Sequence, residues 1–302
     1  MELQSIDQLL EKTKLQAKKR VLAVAAADSK NALEAVIKAR DEGLVTPLLI
    51  GDRAGIKKYL DELGASVEDG EIVDQPDNAL AAAEAVRLIN EGKAEFMMKG
   101  MIQTADFMRA IIDKEIGLID PGNVVSFVSI NEMNNYHKLL IMTDTGLIRD
   151  PDLMQKKGII ENAVKVFRAY GYEKPKVAVM TAVETVNPKM QETVDAAELE
   201  EMNKRGEIKD CIVEGPISMD IAFSKRVAEL KGYKGIIPGD VDIVIWPNVL
   251  AGNIAAKGIA MFGGRLKSLS FGAGARVPLV IAGRGADAGT EYLTILGALA
   301  AF

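Results

Sequence analysis

Short β-branched runs alternate with helical segments along almost all of the 302 residues, and this rhythm restricts the fold more than any single motif does. A strand that leads into a helix and then into another strand builds a parallel sheet covered by helices. Apolar runs over 20–27, 47–50, 72–73 and 95–99 read as strands. Helical segments over 29–42, 52–63, 76–91 and 104–113 follow them in turn. Ser29 stands where a helix cap belongs, and Gly43 where that helix stops. Asp120-Pro-Gly-Asn123 then interrupts the rhythm and marks a boundary. Strand segments over 124–130 and 139–143 come next with only the polar stretch 131–137 between them, which predicts a hairpin. Alternation resumes with helices over 151–170, 188–204, 219–230 and 250–262 and strands over 176–181, 211–213 and 242–245. A glycine-rich stretch from Gly263 to Gly274 surrounds a further short strand. The strand over 277–282 and the helix over 288–300 close the chain.

Composition narrows the function classes. Hydrophobic residues make up 48% of the chain, enough for one large core or two smaller ones. Aromatics are only 5%, which favours close helix–sheet packing over an aromatic-rich sandwich. The net charge of -6, with no long basic run, argues against nucleic acid as the main partner. Lys14, Lys18, Lys19 and Arg20 form a small basic cluster that reads as the end of a surface helix. Cys211 is the sole cysteine, which excludes a disulfide framework and a thiolate metal cluster. The opening residues lack the pattern of a signal peptide, and no apolar stretch approaches the ~20 residues of a membrane span. A cytoplasmic protein is expected.

In an open parallel sheet, ligands bind outside the carboxyl ends of the strands. Small, acidic or turn-forming residues directly after an apolar run are therefore the site candidates. Lys99-Gly100 ends one strand, and Thr104 then caps a helix carrying Arg109. A cation, a glycine and a helix N-terminus suit an anion, although Gly-x-x-x-x-Gly-Lys-Ser/Thr does not occur. Thr143-Asp144-Thr145-Gly146 ends another strand; Asp144 either contacts a ligand or fixes its own turn. Glu214-Gly-Pro216, Asp220, Gly239-Asp240 and Gly252-Asn253 repeat the pattern. Arg284 lies between Gly283 and Gly285, whose lack of side chains lets a ligand approach closely enough for a guanidinium clamp. Asp287 and Glu291 follow at i and i+4; each is a candidate general base or an ordinary helix-dipole partner.

Other readings carry less. The third glycine after Gly283-x-Gly285 falls at Gly289, one position late for a dinucleotide fingerprint, and precedes the last helix. His137 is the sole histidine, on a polar loop, which leaves a Ser-His-Asp or His-based metal site almost unsupported; no metal is expected. Met97, Met98 and Met101 read as core filler.

Taken in order, several blocks resemble the phosphate acetyl/butyryltransferase family, the butyryl branch most closely. They include Phe96-Met-Met-Lys-Gly100, Thr104-Ala-Asp106, Ile141-Met-Thr-Asp144, Ile159-Ile-Glu-Asn-Ala163 and Pro175-Lys-Val-Ala-Val179. The block Ala182-Val-Glu-Thr-Val-Asn-Pro-Lys-Met190 is the most specific, and Glu214-Gly-Pro216, Asp220, Gly239-Asp240 and Ala251-Gly-Asn-Ile254 extend it. The resemblance covers essentially the whole chain. It implies a three-layer αβα architecture with a parallel or mixed sheet, similar to the isocitrate/isopropylmalate dehydrogenase-like fold. It also implies two domains, 1–121 with 270–302 and 122–269, a cleft between them, and a homodimer. The implied reaction is acyl-CoA plus phosphate giving acyl phosphate plus CoA, without a metal or a permanently bound cofactor.

The resemblance makes Arg284 and Arg109 the clamps for phosphate and carbonyl and a carboxylate, Asp287 first, the base. Lys99, Gly100 and Thr104 would line the anion site, and the Asn187-Pro188 and Gly252-Asn253 loops would shape the CoA site. Thr143, Asp144, Asp220, Asp240 and Gly283 complete the binding set. One residue departs from the family pattern: Gly283 stands where a serine usually precedes the arginine. That departure leaves open a homologue that binds CoA or phosphate without turnover. An NAD(P)-dependent dehydrogenase of the same fold has less support, for want of a fingerprint and an aspartate cluster.

Overall fold

The computed structural model describes residues 3–16, 18–283 and 285–301. Among these, eleven strands follow one another. They are β1 (Arg20–Ala25), β2 (Val45–Gly51), β3 (Ile72–Asp74), β4 (Phe96–Lys99), β5 (Ser126–Met133) and β6 (Leu140–Thr143). Then come β7 (Lys176–Met180), β8 (Ile212–Ile217), β9 (Ile243–Ile245), β10 (Arg265–Ala273) and β11 (Leu279–Val280). Two compact units result: Leu10–Asn123 with Leu269–Ala300, and Val124–Ser268 with residues 3–9.

In the first unit the strand order is β3-β2-β1-β4-β11, every pair parallel, and β10 closes antiparallel on β11 at Gly272 and Leu279. Leu22–Ala27 is fully buried, as a strand covered by helices on both faces requires. The helix Lys30–Asp41 turns Ala32, Leu33, Ala35, Val36 and Ala39 inward, the apolar stripe of an amphipathic helix. Tyr292 of the last helix, Ala288–Ala300, donates a hydrogen bond to Glu42, which also pairs with Lys14 at 2.7 Å. The chain's late return is thereby tied to its early residues.

In the second unit the order is β5-β6-β9-β7-β8. The predicted hairpin is real: β5 and β6 pair antiparallel, with Ser129 opposite Met142, and the remaining pairs are parallel. Met142, Ala178, Met180, Ile217, Val244 and Trp246 share one buried cluster. Helix starts follow local chemistry. Asp152 caps the helix Leu153–Ala169 by accepting from the Gln155 N–H, and Gln155 answers with a bond from the Asp152 N–H. The single helix predicted over 219–230 is two, Met219–Phe223 and Lys225–Lys231. They divide at Ser224, whose extended backbone and hydroxyl cap the second helix.

The observed partition differs from the expected 1–121 segment at its start. Leu3 is held by Tyr172 and by the Leu139 N–H, and the Ile6 N–H donates to Glu132, so residues 3–9 pack with the second unit. Buried Ile6 and Leu9 supply the apolar reason.

Candidate active site

The first unit's strand order reverses between β1 and β4, because β2 and β3 step outward on one side and β4 returns on the other. A crevice forms at the carboxyl ends of two strands that diverge in this way. Here the Gly100 N–H bonds to the Ala25 carbonyl at 2.9 Å, and the Met101 N–H to the Ala26 carbonyl at 2.7 Å. A Cβ on Gly100 would stand 2.1 Å from the Ala26 oxygen, so only glycine fits. Lys99, the last residue of β4, is only 8% exposed. Its ammonium lies 3.1 Å from the carbonyl oxygens of both Gly100 and Ile102.

Thr104 is the first residue of the helix Thr104–Ile111, but Gln103 holds the cap position, and its side chain makes no cap bond. Arg109 is 72% exposed and pairs with Asp106 at 2.6 Å, one helical turn away. Met97 and Met98 are buried as expected; Met101 is 58% exposed on the strand-end turn and is not core.

The loop after β11 arrives at the same unit's strand ends. Arg284 lies outside the described residues. The Ala286 N–H bonds back to Gly283, and Asn31 donates to the Ala286 carbonyl at 3.1 Å, tying this loop to the helix that follows β1. Asp287 is exposed and accepts the Thr290 N–H at 2.7 Å, which holds its carboxyl below the usual carboxylate range. That is the behaviour of a helix cap. Glu291, one turn on, is 9% exposed, and its Oε2 has no hydrogen-bond partner among the described residues. Burial pushes the Glu291 carboxyl up to about 7, with Lys99 drawing it down and Asp287 pushing it further up.

Ser29, expected as a cap, holds the cap position of the helix Lys30–Asp41 without a side-chain bond. One residue beside it escaped the sequence reading: Asp28 has a buried Oδ1 without a partner among the described residues. The signal was an acidic residue directly after the first apolar run.

In the second unit, Thr143 and Trp246 meet through a backbone bond at 3.0 Å, and both Thr143 Oγ1 and Trp246 Nε1 are buried without partners among the described residues. Gly252 packs on the same group, since a Cβ there would lie 2.6 Å from the Asp144 carbonyl oxygen. Asn253 donates to the Thr145 carbonyl at 3.1 Å. Asp144 is consumed by its own turn: its carboxylate accepts from Phe127, Gly146, Leu147 and Ile148. Burial raises its pKa, and those four N–H groups oppose the rise.

Asn187 caps its loop by accepting the Lys189 N–H, and Pro188 beside it is exposed. Asp220 lies after β8, accepts from Ser218, and pairs with Lys231 at 3.0 Å.

Asp240 stands apart from these strand ends. It precedes β9 and meets Lys138, which precedes β6, and Lys176, which opens β7. It therefore sits at the amino ends of the strands, with His137 Nε2 3.0 Å away. Burial works against its charge, yet hydrogen bonds from Lys138, Lys176 and His137 hold it well below the usual carboxylate range. This is a structural ion network; the Gly-Asp pair comes before its apolar run, not after it. A groove of about 590 Å³ opens where Asp152 and Asn248 cap their helices; it is lined by the buried Lys156–Asp195 pair and by none of the predicted site residues. Among the described residues no three His, Cys, Asp or Glu side chains are grouped to hold a metal. No described helix is long and apolar enough to cross a membrane.

Residues 71–300 match the model of the family described as Phosphate acetyl/butaryl transferase. The chain belongs to this family. It is therefore a phosphate acyltransferase, of a family whose substrates are acyl-CoA and phosphate. It is 41% identical over 255 residues to the phosphate butyryltransferase of Clostridium acetobutylicum, covering 84% of each chain. It is 38% identical over 290 residues to the phosphate acetyltransferase of Thermotoga maritima, covering 96% of this chain and 97% of that one. A branched-chain phosphotransacylase from Enterococcus faecalis V583 superposes with a TM-score of 0.76 at 26% identity, over 93% of this chain and 99% of the other. The mixed α/β fold of the phosphate acyltransferase, a large sheet flanked by helices, agrees with that likeness.

Proposed function

We propose that this phosphate acyltransferase moves a short-chain acyl group directly between CoA and phosphate, with Glu291 as the proton acceptor. In one direction a phosphate oxygen attacks the thioester carbonyl, the carbon–sulfur bond breaks, and sulfur leaves with the electron pair. In the other, the thiol of CoA gives its proton to a carboxylate as sulfur attacks the carbonyl of the acyl phosphate, the acyl carbon–oxygen bond breaks, and phosphate leaves with the electron pair. The observation that carries the assignment of the base is the buried Glu291 carboxyl, poised at about 7 beside the strand ends of the first unit. A base works best when its pKa lies near the working pH. Asp287 is engaged as a cap and held low, which suits positioning of the loop.

Both directions bring negative charges together, so cations must offset the repulsion. Arg284 and Arg109 take that role, with Gly100, Thr104 and Gly283 giving phosphate room to approach. Arg109 is free to swing from Asp106, since an exposed ion pair is worth ~1 kcal/mol or less. In the second unit, Thr143, Asn187, Pro188, Asp220, Gly252 and Asn253 are the residues assigned to CoA, and Asp144 supports them through its turn. The Thr143 hydroxyl and Trp246 N–H, buried without partners among the described residues, favour an amide-bearing ligand there.

The protein works as a cytoplasmic homodimer, binds no nucleic acid, and holds no permanent cofactor. The dimer reading rests on the helix Val249–Met261, an apolar helix of which only Gly252 is buried. Leu250, Ile254, Met261 and the adjoining Phe262, 92% exposed, call for a covering surface.

The test is thiol release from C2 to C5 acyl-CoAs, with and without phosphate. Phosphate-dependent release with a preferred chain length is the expected result. Release that ignores phosphate, or none from any member of the series, would overturn the proposal.

A further inference from the structure

The groove at the start of the helix Leu153–Ala169 is lined by none of the residues assigned to acyl transfer, yet its walls hold polar groups with unused capacity. Its volume, about 590 Å³, falls within the range of small-molecule sites. Lys156 lines it and is only 5% exposed. A lysine ammonium carries three donors, but this one makes a single bond, to Asp195 Oδ2 at 2.6 Å. Asp195 has no second oxygen to offer, because its Oδ1 accepts from Gln191 Nε2 at 2.7 Å. Lys156 thus has buried donors without an acceptor among the described residues, and buried polar groups are ordinarily matched. A pair that served only to join the two helices would be no better than an apolar contact of the same size.

Unused acceptors line the same groove. Glu192 is half-buried and makes no hydrogen bond or ion pair among the described residues. Asp152 accepts the Gln155 N–H with Oδ1 and has Oδ2 to spare. An anion would satisfy Lys156 but would be repelled by Glu192 and Asp152. A plain amine would suit those carboxylates and leave Lys156 short of an acceptor. A zwitterion serves both. The helix Gln191–Lys204 also begins here, and its cap residue Met190 supplies no side-chain bond, so its first N–H groups favour a ligand carboxylate. Pro151, Leu153 and Pro247 add apolar wall. We propose that this groove binds a free α-amino acid with an apolar side chain, its carboxylate on Lys156 and its ammonium on Glu192 and Asp152.

The test is equilibrium dialysis of the full chain against labelled alanine, valine, leucine and phenylalanine, without CoA or phosphate. Its outcome is therefore independent of the acyl-transfer reading. Each amino acid that is retained is compared with its deaminated and decarboxylated analogues, which for leucine are 4-methylpentanoate and 3-methylbutylamine. The expected result is saturable retention of at least one amino acid, with both of its analogues weaker by about tenfold or more, since each lacks one charge-assisted contact. No retention of any of the four at millimolar concentration would overturn the proposal. An analogue that binds as tightly as its parent would also overturn it, because the groove would then recognise one charge and not a zwitterion.

Variants place the binding. Lys156→Met and Glu192→Gln should each weaken retention by about tenfold or more. Removing Lys156 leaves Asp195 buried and unpaired, which can unfold the chain. In that event Lys156→Met/Asp195→Leu, which removes both buried charges, takes its place and should lose binding by the same factor. Glu192→Gln changes a side chain with no partner among the described residues, so it is expected to melt like wild type. Undiminished affinity in Glu192→Gln would put the amino acid elsewhere and overturn the assignment.

Discussion

Glu291 occupies a position that costs stability, and the cost has a pH signature. Its folded-state pKa of about 7 lies above the ordinary 4.5, so the native state holds the proton more tightly than the unfolded chain does. The stabilisation is complete below the unfolded value and is lost as pH rises through 7. Glu291→Gln, which mimics the protonated form, should melt higher than wild type at alkaline pH by an amount worth on the order of 3 kcal/mol, and equally at acid pH. The same variant should lose about 10²–10⁴ in kcat. Thermal melts across the pH range, alongside rates, check both halves; a variant less stable than wild type at alkaline pH would count against the buried-carboxylate account. Gly283 offers the opposite experiment. A Cβ there meets nothing within 4 Å, so Gly283→Ser should leave the melting temperature nearly unchanged. Its added hydroxyl should raise kcat by several-fold if a hydrogen bond to the reacting group is missing in the native enzyme. A variant no faster than wild type would mean that this hydrogen bond is already supplied.

At the scale of elements, Asp240 and the helix Val249–Met261 make separate demands. Asp240 joins the amino ends of β6 and β7 through Lys138 and Lys176. Asp240→Asn should cost roughly 1–3 kcal/mol at neutral pH, after allowance for its partial exposure, and leave KM for CoA and phosphate unchanged. Because its pKa is depressed, the stability it gives is present above the unfolded carboxylate value and fades as pH falls, so wild type and variant should converge in acid. A raised KM for CoA would instead return Asp240 to the ligand. Ile254→Glu, on the exposed side of the apolar helix, should convert a dimer to monomers in light scattering; an unchanged mass would place the interface elsewhere.

Much of this layer was legible in the sequence. The βα series and the β5–β6 hairpin follow from apolar runs, turn residues and capping side chains, which are local features. Position relative to a strand end was less so. Gly239-Asp240 resembles a strand-end turn, yet it precedes β9, and only the pairing of Lys138 and Lys176 with it reveals which end it occupies. Glu291 and Asp287 were indistinguishable by spacing; burial, a three-dimensional property, separates them. The same holds for Lys99, whose enclosure depends on β11, some 180 residues further along the chain.

The molecule as a whole joins distant segments. Leu269–Ala300 belongs to the same unit as Leu10–Asn123, and its Arg276 N–H, Tyr292 hydroxyl and Ala286 carbonyl bond to Leu118, Glu42 and Asn31. The proposed catalytic residues are split in sequence for this reason: Arg109 comes from the first stretch, Arg284 and Glu291 from the last. Loss of the C-terminal stretch should therefore abolish activity and unfold the first unit together, which limited proteolysis would show. The central claim is that acyl transfer goes to phosphate itself. The most direct measurement is phosphorus NMR of the purified protein with butyryl-CoA and inorganic phosphate. The account expects an acyl phosphate resonance that grows in step with free thiol. Thiol release with no acyl phosphate, or no reaction at all, would contradict it.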